Sequence, residues 1–222
     1  MSILSKLLAF IVAVTLVQCS FNWDGDKISG EGPVVTKNLE IDDFTEIEVS
    51  NGWKVELIPN QPNQMVVKAN KNLIDILEVK SSNGVLSIGA EDNIGKADSK
   101  LIKVYFDNKL RSIEASSASD ISAKEQLVFE STSIDASSAA DIKINIKADE
   151  LEVDASSGSD IELIANSKNI KINASSSADI NIEGDNKILN ASASSGAEID
   201  LAGISKNVEL EATSGSDIDA KD

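Results

Sequence analysis

Residues Ala155-Ser156-Ser157-Gly158-Ser159-Asp160-Ile161 decide how this 222-residue chain is read. The same stretch returns, lightly varied, as ASSASDI from Ala115, ASSAADI from Ala136, ASSSADI from Ala174, ASSGAEI from Ala193 and ATSGSDI from Ala212. The first interval is 21 residues and the others are 19. A fixed period of this kind, with no proline inside it, marks like units stacked on one another.

Apolar residues alternate on both sides of each patch. Val153 and Ala155 precede one copy, and Ile161 and Leu163 follow it; Ile172, Ala174, Ile180 and Ile182 repeat the pattern, as do Ala191, Ala193, Ile199 and Leu201. A period of two is the signature of strands. Each unit then holds two short strands. The Ser/Ala/Gly patch joins them at one end, and a polar turn such as Asn166-Ser167-Lys168-Asn169 or Gly184-Asp185-Asn186-Lys187 closes the other. One coil per repeat pairs equivalent strands in parallel, about 4.8 Å apart. The expected fold is all-β: a parallel β-helix, a two-sheet solenoid with 19 residues per rung in its C-terminal half.

Ala115, Ala136, Ala155, Ala174, Ala193 and Ala212 then share one inward position at a tight bend that admits little more than a methyl group. With Ser156 and Ser157 they make a structural turn in which Gly158, Gly196 and Gly215 suit a positive φ. Ala118, Ala139 and Ser177 fill that slot elsewhere, so a strict glycine requirement is not expected. Asp120, Asp141, Asp160, Asp179, Glu198 and Asp217 form an acidic ladder. Neighbouring carboxylates at that spacing repel by about 1 kcal/mol in water, so something must offset the charge. Turn N–H groups and serine hydroxyls are the ordinary partners of such aspartates. Calcium bridging is the alternative, and it suffers from the lack of a regular acid in the second turn. Apart from calcium, no cofactor or metal is expected. The serine rows (Ser116 to Thr213, and Ser117 to Ser214) read as corner hydroxyls bonded from rung to rung, or as a flat array for ice or a crystalline polysaccharide.

Composition removes several function classes. Histidine is absent, so triads, Cys-His dyads and imidazole metal sites are excluded. Lys and Arg number 20 against 37 Asp and Glu, a net charge of −17, which disfavours nucleic acid and anionic lipid as direct partners. Repeated, equivalent acids are the opposite of a catalytic pair with separated pKa values. Aromatics at 4% leave little for a sugar platform. No catalytic residue is assigned.

Met1 to Cys19 reads as a signal peptide, with Lys6 ahead of the apolar run Leu7 to Val17, which is too short to span a bilayer. The lone cysteine, Cys19, ends it in Leu16-Val17-Gln18-Cys19, resembling a bacterial lipobox; Gln18 departs from that pattern, and ordinary cleavage nearby is the alternative. Cys19 is thus the candidate lipidation site, and any membrane contact is through that anchor. The expected localisation is an outer-membrane or cell-surface lipoprotein, otherwise a periplasmic or extracellular protein. Residues 20–33, polar and glycine-rich, read as a flexible tether. Residues 34–111 form a strand-rich N-terminal half, and residues 112–222 the solenoid repeats. In the N-terminal half Asn51-Gly52 separates two alternating runs, a hairpin signal that a solenoid turn shares. Residues 72–79 fit a short helix or a strand, and Asn83-Gly84 opens a further strand. Trp53 and Phe44 read as core residues at the first rung, with sugar stacking the minor alternative for Trp53.

An apolar leader ending in Cys19, the Phe44-x-x-Ile47-x-Val49 stretch, Asn83 to Ile88, and reiterated SSGSDI turns together resemble the auto-transporter adhesin family of the head GIN domain, over roughly residues 40–220. That resemblance implies a pectin-lyase-like parallel β-helix without a catalytic set and an adhesive role at the surface of Bacteroidetes-type bacteria. Turns reading SSA or SSS depart from the family's GSG. The leading expectation is a non-enzymatic surface module that binds a glycan or a protein. An envelope scaffold docking another protein is the alternative, with a homo-oligomer as one form of it, and a calcium-dependent polysaccharide-binding or polysaccharide-active protein comes third.

Overall fold

The computed structural model describes residues 27–107 and 109–221. Cys19 and the leader lie outside them. The repeats form β8 Ser112–Ala115, β9 Asp120–Ala123, β10 Leu127–Ala136, β11 Asp141–Ala155, β12 Asp160–Ala174, β13 Asp179–Glu183, β14 Asn186–Ala193, β15 Glu198–Ala202, β16 Ser205–Ala212 and β17 Asp217–Lys221. Each pairs in parallel with the strand one repeat away, so like residues sit above like: Ala136 pairs Ala155, Ala155 pairs Ala174, and Ala193 pairs Ala212. The chain is a β-solenoid of about six turns spaced about 19 residues apart.

The interior is built from these vertical rows. Ile113, Ile134, Val153, Ile172 and Ala191 line one face, and Ile121, Ile142, Ile161, Ile180 and Ile199 the other. Branched aliphatics suit a pleated surface covered on both sides. The alanine row runs beside the first, buried in every rung down to Ala193. Its small size is not uniform along the axis, because Val49 and Ile88 occupy the same row in the N-terminal rungs.

The second turn departs from the expectation. β11 and β12 run unbroken for 15 residues each, carrying Asn166-Ser167-Lys168-Asn169 within β12, so the ladder bends there without a turn and joins all strands into one sheet. The ladder breaks at residues 124–126, between β9 and β10, and again where Gly184 and Gly203 stand, at φ 141° and 127°. A Cβ on Gly184 would overlap the Ala165 carbonyl, and one on Gly203 the Gly184 carbonyl.

The N-terminal half continues the same ladder, so position 111/112 marks a change of sequence pattern and not a break in the structure. β2 Glu46–Val49 and β3 Lys54–Ile58 pair in parallel with β8 and β9. Asn51-Gly52 between them is therefore a solenoid corner and not a hairpin. On their other side lie β6 Val85–Ala90 and β7 Lys100–Tyr105, also parallel. Antiparallel strands close this end: β5 Leu77–Ser82 pairs β6 across Asn83-Gly84, β4 Gln64–Asn70 pairs β7, and β1 Val34–Glu40 pairs β4. The ambiguous stretch 72–79 divides between the short helix α1, Lys71–Asp75, and β5. Trp53 and Phe44 are buried, with the Trp53 indole Nε1 donating to the Gly89 carbonyl at 2.9 Å; burial removes Trp53 as a sugar platform. The part of the tether described, residues 27–33, lies against the domain: Ile28 bridges Ile94, and the Gly30 N–H donates to the Lys96 carbonyl.

Candidate functional site

Each rung turns its corner in the same way. Two consecutive residues adopt positive φ, from Ser117 (52°) and Ala118 (58°) to Ser214 (54°) and Gly215 (74°), and the following N–H donates back across the turn, as Ser119 does to the Ser116 carbonyl at 3.2 Å. This is a type I′ turn. Asn51 and Gly52 make the same corner one rung earlier. Positive φ is thus universal at the slot, also where Ala118, Ala139 and Ser177 fill it, so the slot demands the conformation and not glycine itself. The strain is held by neighbours: the Ala118 N–H donates to the Ser138 carbonyl and the Ala139 N–H to the Ser157 carbonyl, each at 3.1 Å. Beneath the turn, the Ser159 hydroxyl accepts the Ser156 N–H at 3.1 Å and donates to the Ala136 carbonyl of the adjacent rung at 2.9 Å, so this buried serine is structural.

The acidic ladder is vertical as drawn from the repeat. Asp120, Asp141, Asp160, Asp179, Glu198 and Asp217 stand in register on successive rungs, with Lys54 at the head of the row and ion-paired to Asp120. Serine hydroxyls do not neutralise it. Among the described residues the backbone N–H bonded to a ladder carboxylate is that of Ile218, to Asp217 at 3.0 Å. The crowding shows in the carboxyls themselves: partial burial, then the Asp120 carboxylate beside it, raises the pKa of Asp141, and partial burial followed by Asp179 and Glu162 raises that of Asp160. A single row does not make a cation shell. Among the described residues no three acidic or cysteine side chains converge to hold a metal.

A second acidic row, on the other side of the corner, lines a groove. Glu48, Glu114, Asp135, Asp154, Asn173 and Ser192 each precede the inward residue of the alanine row (Val49 in the case of Glu48) and form the floor of this groove of about 890 Å³. Ser116, Ser137, Ser156, Ser175 and Ser194 make one wall, and Glu78 and Lys80 of β5 contribute at the N-terminal end. Asp135 is half-buried at its centre. Desolvation, then the Asp154 and Glu114 carboxylates above and below, push it up to about 6 against a bond from Ser133. Asp154 is steadied by the Asn173 amide at 2.8 Å, and Glu48 by the Ser87 hydroxyl at 2.7 Å. The serine wall does not bond along itself, contrary to the expected rung-to-rung ladder: among the described residues the one hydroxyl-to-hydroxyl bond between rungs joins Ser133 to Ser112. The groove therefore presents hydroxyls beside carboxylates at rung spacing, an array able to accept and donate hydrogen bonds along an extended chain. Sequence reading passed over its floor, although the signal was there: an acid or amide stands just before nearly every inward alanine.

The sequence profile described as "Putative auto-transporter adhesin, head GIN domain" matches residues 43–183. The chain belongs to the head GIN domain family. Three solved structures share this GIN fold. One is described as a putative adhesin from Bacteroides fragilis, with TM-score 0.73 and 11% identity, covering 87% of this chain and 99% of that one. Another is a putative adhesin from Parabacteroides merdae, with TM-score 0.69 and 15% identity, covering 88% and 99%. A third, from Parabacteroides distasonis, is described as a putative lipid binding protein, with TM-score 0.60 and 17% identity, covering 88% and 99%. At such identities the likeness is one of fold. No curated protein matches the sequence.

Proposed function

We propose that this GIN domain is a non-enzymatic adhesion module, secreted and held at the outer membrane through a lipid on Cys19, that grips an extended, hydroxyl-bearing glycan along the groove floored by Glu114, Asp135 and Asp154. The observation that carries the reading is the pairing of two rows at one spacing. The serine hydroxyls lack rung-to-rung partners, and the carboxylates beside them accept strongly from sugar hydroxyls. A polymer of repeating units matches a site that itself repeats, so each added unit meets the same donors and acceptors. The family's description as adhesins is in keeping with this role. The test is a glycan and matrix-protein array probed with the mature protein and with a Ser137→Val, Asp135→Leu, Ser156→Val variant. A glycan signal lost in the variant supports the reading; a signal the variant keeps, or signals on proteins alone, refutes it.

A further inference from the structure

The two ends of the solenoid differ. At the N-terminal end antiparallel strands and α1 lie over the last parallel rung, whereas β16 and β17 end the ladder as parallel strands with, among the described residues, no strand on their outer edge. Val208 and Leu210 point inward yet are 52% and 42% exposed, while Leu189 and Ala191, one rung earlier in the same rows, are 5% and 3% exposed. An edge of this kind, apolar within and unpaired in its backbone, is a template for a further strand.

The same molecule shows what covers such an edge. The edge of β11 reads Glu150-Leu151-Glu152-Val153-Asp154-Ala155, and β12 covers it with Asn169-Ile170-Lys171-Ile172-Asn173-Ala174 in parallel register. Asn169 donates to the Glu150 carboxylate at 2.6 Å, Lys171 to Glu152 at 2.6 Å and Asn173 to Asp154 at 2.8 Å, while Ile170 and Ile172 extend the inner rows. The free edge of β16 reads Asn207-Val208-Glu209-Leu210-Glu211-Ala212. Register places Glu209 in the row of Glu152 and Glu211 in the row of Asp154. The inner residues are again aliphatic, and the outer acids again face a position that a lysine and an asparagine would satisfy. A second copy paired through its own β16 is a poor occupant, because that edge-to-edge pairing brings Glu209 and Glu211 against the same acids.

From this internal precedent we propose that the β16 edge docks an extended strand of another protein in which aliphatic residues alternate with lysine or asparagine, added in the manner of β12 on β11. Glu209 is the selecting residue, and Val208 and Leu210 receive the aliphatic side chains.

The probe is a labelled synthetic peptide of residues 169–175, Asn-Ile-Lys-Ile-Asn-Ala-Ser, which stops short of Lys168 and so avoids Lys206 at the start of β16. Fluorescence anisotropy against the mature protein is expected to show saturable binding. Glu209→Lys, at an exposed position, weakens it roughly tenfold, and a peptide carrying Lys171→Glu restores binding to that variant while failing on the wild type. The peptide-side swap keeps the test meaningful if the protein variant is less stable. Absence of saturation at millimolar peptide overturns the proposal, as does affinity indifferent to the charge swap. Sedimentation showing a dimer abolished by Glu209→Lys also overturns it, assigning the edge to a second copy.

Discussion

Relieving the corner strain should stabilise the domain, against the usual expectation that added glycine weakens a fold. Ala118, Ala139 and Ser177 sit at φ 58°, 60° and 59° in a slot that Gly158, Gly196 and Gly215 occupy elsewhere. Their side chains are exposed, so removing the β-carbon sacrifices little packing. An L-residue in this region costs roughly 1–2 kcal/mol. Glycine returns about 0.5–1 kcal/mol of that as extra freedom in the unfolded chain. The net gain is about 0.5 kcal/mol per site, or about 1.5 kcal/mol for the triple variant Ala118→Gly, Ala139→Gly, Ser177→Gly if the rungs act independently. In a domain of this size that raises Tm by roughly 3–6 °C. Calorimetry at pH 7 measures it. A triple variant that melts below the wild type would refute the reasoning, since it would mean these turns are not strained at that slot.

Gly184→Ala should behave oppositely: the added methyl meets the Ala165 carbonyl at a backbone angle that L-residues avoid, so a loss of about 3 kcal/mol or more is expected, read as a fall in urea midpoint. Asp135→Asn should remove a loss of stability that the wild type suffers as pH rises from about 4 to about 6. Because the folded pKa of Asp135 is raised to about 6, its favourable contribution is complete below the ordinary carboxylate range and disappears as pH climbs through 6; the variant should gain over wild type at pH 7–8 and lose that advantage at pH 4, in thermal scans across the range. Cys19→Ala should shift the protein from the membrane fraction to the soluble one in fractionated cells, and equal partitioning of both forms would end the lipid-anchor reading.

The fold was legible because repetition turns a weak local signal into a strong one: six aligned alanines and six aligned acids leave one pitch for the coil. What escaped reading has physical reasons. Asn51-Gly52 favours the same primed turn in a hairpin and in a solenoid corner, so only the partners of β2 and β3, far along the chain, distinguish the two. Asn166-Ser167-Lys168-Asn169 has the composition of a turn yet stays within β12, because its backbone remains paired to β11 nearly throughout while the neighbour on its other side divides into β13 and β14. The acidic ladder was found, yet the partners expected for it were not, since the turn N–H groups are already committed to carbonyls in their own and adjoining rungs. The groove floor was overlooked because it lies one residue ahead of the motif, and its depth arises from how β5 and the corners flank the row.

The claim that the groove, and not the acidic ladder, is the binding surface can be put to one titration. A glycan identified on the array is titrated calorimetrically into wild type, into the groove variant Asp135→Leu with Ser156→Val, and into the ladder variant Asp141→Asn with Asp160→Asn. The account predicts binding by the wild type and the ladder variant and its loss in the folded groove variant. Binding retained by the groove variant and lost in the ladder variant would contradict it.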